Sequence, residues 1–166
     1  MPDIKLVDVV TPGFISLSWL LKPNGLPDET QALADAVLVA FNTDGQADVG
    51  EVLPDPRSDD RRGWWGDLDA FRIWNGWPIG SKLWLLRRTK IVGPGAGEGA
   101  TVVRCEHYIR QCLQPFIDNR IASAVDVNVY QEGVSNQQIS ALVTIYRGPL
   151  TAVQLEFKPL WDEAMH

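Results

Sequence analysis

Four aspartates, Asp59, Asp60, Asp67 and Asp69, fall in a short stretch that also holds Trp64 and Trp65. Carboxylates beside stacking aromatic rings are the raw material of glycoside hydrolysis, which needs two carboxyl groups about 5 Å apart for retention or about 6.5–9.5 Å apart for inversion. A general acid must also hold its proton at neutral pH, which the flanking Arg61 and Arg62 oppose. A glycoside hydrolase acting on cell-wall glycan is the enzymatic alternative that these residues raise, and no catalytic residue is assigned.

Other chemistry is less well served. Glu106 and His107 are adjacent on an expected helix, so they point about 100° apart and make no matched ligand pair. His166 stands alone, and the acidic loop lacks the spacing of a calcium site. No serine sits in a nucleophile elbow. Cys105 and Cys112 are seven residues apart on the same expected helix, about 10.5 Å between Cα atoms at 1.5 Å per residue, too far for a disulfide. They read as small buried side chains in a reducing compartment. The glycines of Gly93-Pro94-Gly95-Ala96-Gly97-Glu98-Gly99 lack the lysine and hydroxyl residue of a phosphate cradle and read as a connector. No metal or cofactor is implied.

The 166 residues are 45% hydrophobic and 22% charged, which predicts a folded domain with a sizeable core. A net charge of −6 argues against a general nucleic-acid binder and towards protein partners. Neither a signal peptide nor an apolar run near twenty residues is present, so no membrane association is expected and the chain should be made and kept in the cytosol.

The strongest signal is Asp59-Asp60-Arg61-Arg62-Gly63-Trp64-Trp65-Gly66-Asp67, continuing to Trp84. Five of the seven tryptophans (Trp64, Trp65, Trp74, Trp77 and Trp84) lie in this part of the chain. Arginines can stack on ring faces or grip carboxylates with two bonds, so the stretch reads as a knot pinning an irregular loop to the core. The same residues suit an aromatic and arginine anchor in a protein interface, and the two readings are compatible. Arg61, Arg62, Trp64, Trp65 and Asp67 are the candidate interface or interface-positioning residues.

This stretch, with Gly80-Ser81-Lys82-Leu83-Trp84-Leu85-Leu86, resembles the family of small contractile-tail baseplate proteins represented by the gene 46 product of bacteriophage Mu and its prophage relatives. The resemblance extends from about Leu33 to about Tyr146. That family in turn resembles the T-even baseplate wedge protein on which the sheath begins to assemble. The resemblance implies a structural protein of a Mu-like prophage tail, contacting other wedge proteins and tube or sheath subunits, with a homo-oligomer compatible. It places the assembled protein in the virion tail baseplate. The wedge relatives carry a glutamate-proline-arginine motif between the main helix and the first strand of the sheet. Here Gln114-Pro115 and Asn119-Arg120-Ile121 are separated, and Arg120 is the positional counterpart of that arginine, hence a sixth interface candidate.

These residues must be positioned by an α+β fold. Residues 1–27 read as an extended N-terminal arm and linker, with Ile4, Leu6 and Val9 in a short strand and a turn at Asn24 to Asp28; residues 28–166 read as one domain with a tryptophan-rich insertion at 57–86. Val37-Leu38-Val39-Ala40-Phe41 is rich in β-formers and predicts a strand over Ala36 to Phe41, although the alanines also allow a helix; the resemblance implies the strand. Ser81 should cap a short helix containing Leu83 to Leu86, and Thr101 a longer one to about Gln114 with Cys105, Tyr108, Ile109, Cys112 and Phe116 on its apolar face. Pro115 should bend or end that helix. Alternation over Val125–Tyr130, Ile139–Tyr146 and Val153–Phe157, the last ended by Pro159, predicts a C-terminal antiparallel meander packed on the helix. By resemblance the sheet is continued by arms of neighbouring sheath-type subunits, at the Val125–Tyr146 hairpin or the strand ending at Phe157.

Overall fold

The computed structural model describes residues 4–11, 14–21, 29–73, 76–90, 99–132 and 138–162. The turn at Asn24 to Asp28, Trp74, the connector from Gly93 to Glu98 and His166 lie outside them. Two compact units are present, Met1–Leu38 and Val39–His166.

In the first unit, β1 (Ile4–Thr11) and β2 (Phe14–Leu21) form a two-stranded antiparallel sheet, in register from Ile4 opposite Leu21 to Thr11 opposite Phe14. The extended backbone expected of the arm is thus paired with itself.

The predicted strand over Ala36 to Phe41 is instead part of α1 (Glu29–Asn42). A strand would have put Val37 and Val39 on one face, yet Val37 is 0% exposed and Val39 43%. Leu33, Val37 and Ala40, spaced four and three apart, are the buried set, which is helical periodicity. Alanines at 32, 34, 36 and 40 supply helix propensity that outweighs the short valine-rich run. Past Asn42, the Thr43 hydroxyl donates to the Val39 carbonyl at 2.7 Å and satisfies one of the helix's terminal acceptors.

After the single helical turn α2 (Ala70–Ile73), the core of the second unit lies between α3 (Ala100–Asp118) and a sheet in the order β3 (Ala124–Glu132), β4 (Gln138–Arg147), β5 (Leu150–Asp162), all antiparallel. The protein is an α+β protein. Helix α3 buries the predicted face of Cys105, Tyr108, Ile109, Cys112 and Phe116, together with Leu113. Its start differs from expectation: Gly99 occupies the N-cap, and the Thr101 hydroxyl donates to the Lys90 carbonyl at 3.1 Å instead of capping the helix. Nor does Pro115 end it. The carbonyl deprived of a helical donor belongs to Gln111, on the exposed side, so the helix runs three residues further.

In β4, Ile139, Ala141, Val143 and Ile145 alternate as predicted and are fully buried. Strand β5 does not stop at Pro159. Ile139 pairs with Trp161 and Ala141 with Phe157, so β5 carries two extra residues in this interval, and a proline is accommodated at such a bulge because a ladder donor is not required there. Phe157 stacks on Phe41 with ring centroids 4.4 Å apart.

Candidate functional site

The long excursion between α1 and α3 is fastened at its base. Ser81 N donates to Thr43 O and Gly45 N to Ser81 O, both at 2.9 Å, making a parallel bridge between Asp44 and Ser81. This junction requires glycine. Gly80 has φ +120°, and a Cβ there would stand 2.6 Å from Gly45 N, so neither conformation nor space admits a side chain. Ser81 is buried, and its hydroxyl accepts from Leu83 N at 3.1 Å as the chain enters a 3-10 turn over Leu83–Leu86. A single such turn stands where a short helix was expected.

That turn delivers Trp84 inward, where its indole N–H donates to Gly45 O at 2.8 Å. The Arg62 guanidinium lies over the Trp84 ring, 4.7 Å from its centroid, and pairs with Asp44. Arg62 also has φ +52°, an uncommon conformation for a non-glycine residue, held by these two contacts and by Arg62 N donating to Asp60 Oδ1 at 2.8 Å. Arg61 faces the other way. Its guanidinium donates to the carbonyls of Asp48 and Val49, the latter at 2.8 Å, while its own carbonyl accepts from Ala47 N at 3.0 Å. Lys82 adds a third tie, with Nζ 2.7 Å from Asp48 and 3.1 Å from Glu51. Burial lowers its affinity for a proton, but the two carboxylates outweigh this and raise its pKa above 10.5. Arg61, Arg62, Lys82 and Trp84 thus hold the 44–51 segment against the 61–84 segment.

The two adjacent tryptophans part company. Trp64 is half-buried, its ring folded over Gly66, where a Cβ would collide with it. Trp65 starts a 3-10 turn (Trp65–Asp69) and is 79% exposed; Leu68 in the same turn is 87% exposed. The rings remain neighbours, 5.3 Å apart and tilted by 49°. Below them, Asp67 Oδ1 accepts from Ile79 N at 2.9 Å, while its Oδ2 is buried with no hydrogen-bond partner among the described residues. Burial raises the Asp67 pKa, against the lowering effect of the Ile79 bond. Trp77 meets Phe116 of α3 edge to face at 5.0 Å.

Five of the six predicted residues therefore share this knot, while Arg120 does not. It stands at the exit of α3 with φ +59°, its N–H bonded to Ile117 O at 2.9 Å and its side chain exposed. Asp60 and Asp67 are engaged by separate backbone N–H groups, of Arg62 and Ile79. Among the described residues no three metal-ligating side chains cluster. Burial pushes the Cys105 and Cys112 thiols up to about 12, with Glu106 adding to the effect at Cys105, so both are protonated at neutral pH. No described helix is long and apolar enough to cross a membrane.

Sequence reasoning gives Gly45 only a place in a tight turn from Asn42 to Gly45, and assigns no site role to Lys82, Arg87 or Arg88. The paired Asp44-Gly45 and Gly80-Ser81 dipeptides were the available signal for the junction, since glycine on both sides of a contact permits close backbone approach.

Comparison with known proteins bears on the same part of the chain. The family described as phage protein GP46 matches residues 33–150. The chain is 37% identical over 100 residues to the baseplate protein gp46 of Escherichia phage Mu, a match covering 60% of this chain and 61% of that protein. It is 36% identical over 111 residues to the Mu-like prophage FluMu protein gp46 of Haemophilus influenzae, covering 67% and 73% respectively. The match thus spans about three fifths of the length of the Mu relative. Neither relative's name supports the glycoside hydrolase alternative.

Proposed function

The chain belongs to the phage protein GP46 family, and from that membership we propose that it is a structural component of a Mu-like contractile-tail baseplate, working through protein contacts. The observation that carries the reading is the placement of Trp65 and Leu68. Large apolar side chains normally withdraw from water, yet these two stand exposed on one turn whose base is tied by the Gly45–Gly80 junction, the Arg62–Trp84 stack and the Lys82 ion pairs. A rigid aromatic anchor loses little entropy when a partner covers it, which is how a few residues come to dominate an interface. Arg61, Arg62 and Asp67 position that anchor, Trp64 backs it, and Arg120 offers a separate cationic contact.

Wedge assembly and sheath initiation are the steps this role would serve, with wedge, tube or sheath proteins as partners and assembly in the host cytoplasm before residence in the tail. The sheet supports such a role in a second way, because β3 and β5 are its outer strands among the described residues and an outer strand is where a strand from another chain can add. The test is affinity recovery of the tagged protein from cells expressing its prophage tail genes. Wild type should bring down other tail proteins, and Trp65→Ala should lose them while keeping the wild-type melting temperature. Equal recovery by a folded Trp65→Ala protein would overturn the assignment of the anchor, and clean isolation of the wild type from cells making complete tails would overturn the baseplate role.

A further inference from the structure

A cleft of about 260 Å³ opens beside the knot, away from the Trp65 turn in sequence, between the 53–60 loop and the chain leaving the Leu83–Leu86 turn. Leu53 and Pro54 give its lining apolar surface, and Trp84 and Arg62 contribute to it. Arg87 and Arg88 complete the lining on its cationic side. Both side chains are exposed. Arg87 makes no side-chain hydrogen bond or ion pair among the described residues, and Arg88 makes one long bond, 3.5 Å from Nη1 to Pro54 O. Two adjacent guanidinium groups with nearly all their donors unused, on a chain of net charge −6, are a local exception to its electrostatics.

We propose that this cleft receives an acidic side chain from an extended segment of a partner protein. The cleft is small, about 260 Å³, at the lower limit of small-molecule pockets, and it admits a side chain. A carboxylate can take two parallel N–H bonds from an arginine, and the methylenes above it would lie along Leu53 and Pro54. Asp55 and Asp60, also in the lining, select within the class of anions. They repel a doubly charged phosphate more than a singly charged carboxylate, and they can accept N–H groups from the backbone of the incoming segment. The proposal rests on the reading of the chain as an assembly protein; the cleft shares Arg62 and Trp84 with the knot, but Arg87 and Arg88, which the test changes, lie outside the Trp65 anchor.

The experiment probes overlapping short peptides, drawn from the tail proteins encoded alongside this chain, with the purified full-length protein. Bound peptides are remade with Asp→Asn and Glu→Gln. Acidic peptides should bind, and should weaken by about tenfold or more both on amide replacement and with Arg87→Ala/Arg88→Ala, a loss of the size expected for a charge-assisted bond. The two arginines are exposed, so the double variant should melt as wild type does. Absence of peptide binding, binding indifferent to the amide replacement or to the double variant, or displacement by inorganic phosphate as effective as by a free acidic peptide would overturn the proposal. Failure here with Trp65→Ala still blocking recovery of tail proteins would leave the baseplate role intact; loss of both would remove the two together.

Discussion

Replacing Gly80 with alanine tests whether the Gly45–Gly80 junction organises the excursion that carries the exposed Trp65 turn. Alanine at φ +120° is strained, at a cost of about 1–3 kcal/mol. Its Cβ would also lie 2.6 Å from Gly45 N and 2.9 Å from the Asp44 carbonyl carbon. Both are backbone atoms with no side-chain freedom to yield, so the segments must separate. Separation weakens the bonds from Ser81 N to Thr43 O and from Gly45 N to Ser81 O, each worth about 0.5–1.5 kcal/mol net. The expected loss is about 3 kcal/mol or more. Gly148→Ala is the control, since Gly148 has φ +65° but nothing within 4 Å of its notional Cβ, leaving only the conformational cost of about 1 kcal/mol. Urea unfolding with a common slope gives both values, and for a chain of this size each kcal/mol moves the melting temperature by about 2–4 °C. Equal destabilisation by the two substitutions, within about 0.5 kcal/mol, would refute the argument that close backbone approach requires glycine at position 80.

Three further outcomes follow from the knot and the core. Trp84→Phe removes the indole donor and leaves the Gly45 carbonyl without it, so unfolding should become easier by about 1–3 kcal/mol; a change below about 0.5 kcal/mol would show that the bond contributes nothing net. Asp67→Asn keeps an acceptor for Ile79 N and removes a buried charge. Because burial raises the native carboxyl pKa above 3.8, the folded wild type binds its proton more tightly than the unfolded chain, and its stability should fall as pH rises from below 3.8 through that native value. Urea midpoints across that range should show this decline in wild type and not in Asp67→Asn; parallel profiles would contradict it. Cys105 and Cys112 should resist a thiol reagent at pH 8 in the folded protein and react on unfolding in urea, and rapid labelling of either in the native state would contradict their burial and raised pKa values.

What was legible in the chain was whatever a local period encodes. The apolar face of α3 and the alternation of β4 each repeat along the chain, and the structure buries those residues. Where two periods competed over a short run, β-branching misled: Val37 and Val39 look like strand neighbours, but the surrounding alanines and the spacing of Leu33, Val37 and Ala40 belong to a helix. By local chemistry Pro115 predicts a bend or an end to the helix and Pro159 an end to the strand, and a proline terminates an element only where the lost N–H is needed. An exposed helix side and a bulge do not need it. The cluster of tryptophans and arginines was visible, but its division of labour was not. Trp84 is the inward one because a carbonyl at Gly45 and a guanidinium at Arg62 meet it, contacts that span distant parts of the chain and leave no periodic trace.

The junction at Asp44 and Ser81 also bears on how such a chain can diverge. Everything from Gln46 to Ile79 leaves and returns through one hydrogen-bonded gate, with glycine on either side. The entropic cost of closing a loop rises by only about 0.6 kcal/mol for each doubling of its length. Insertions within the excursion are therefore cheap for the fold so long as the gate, the Arg62–Trp84 stack and the Lys82 pairs remain. Change of length is thereby directed to the loop from Val52 to Ser58, away from the Asp59–Asp67 stretch that carries the family resemblance and from Trp77, which packs on α3.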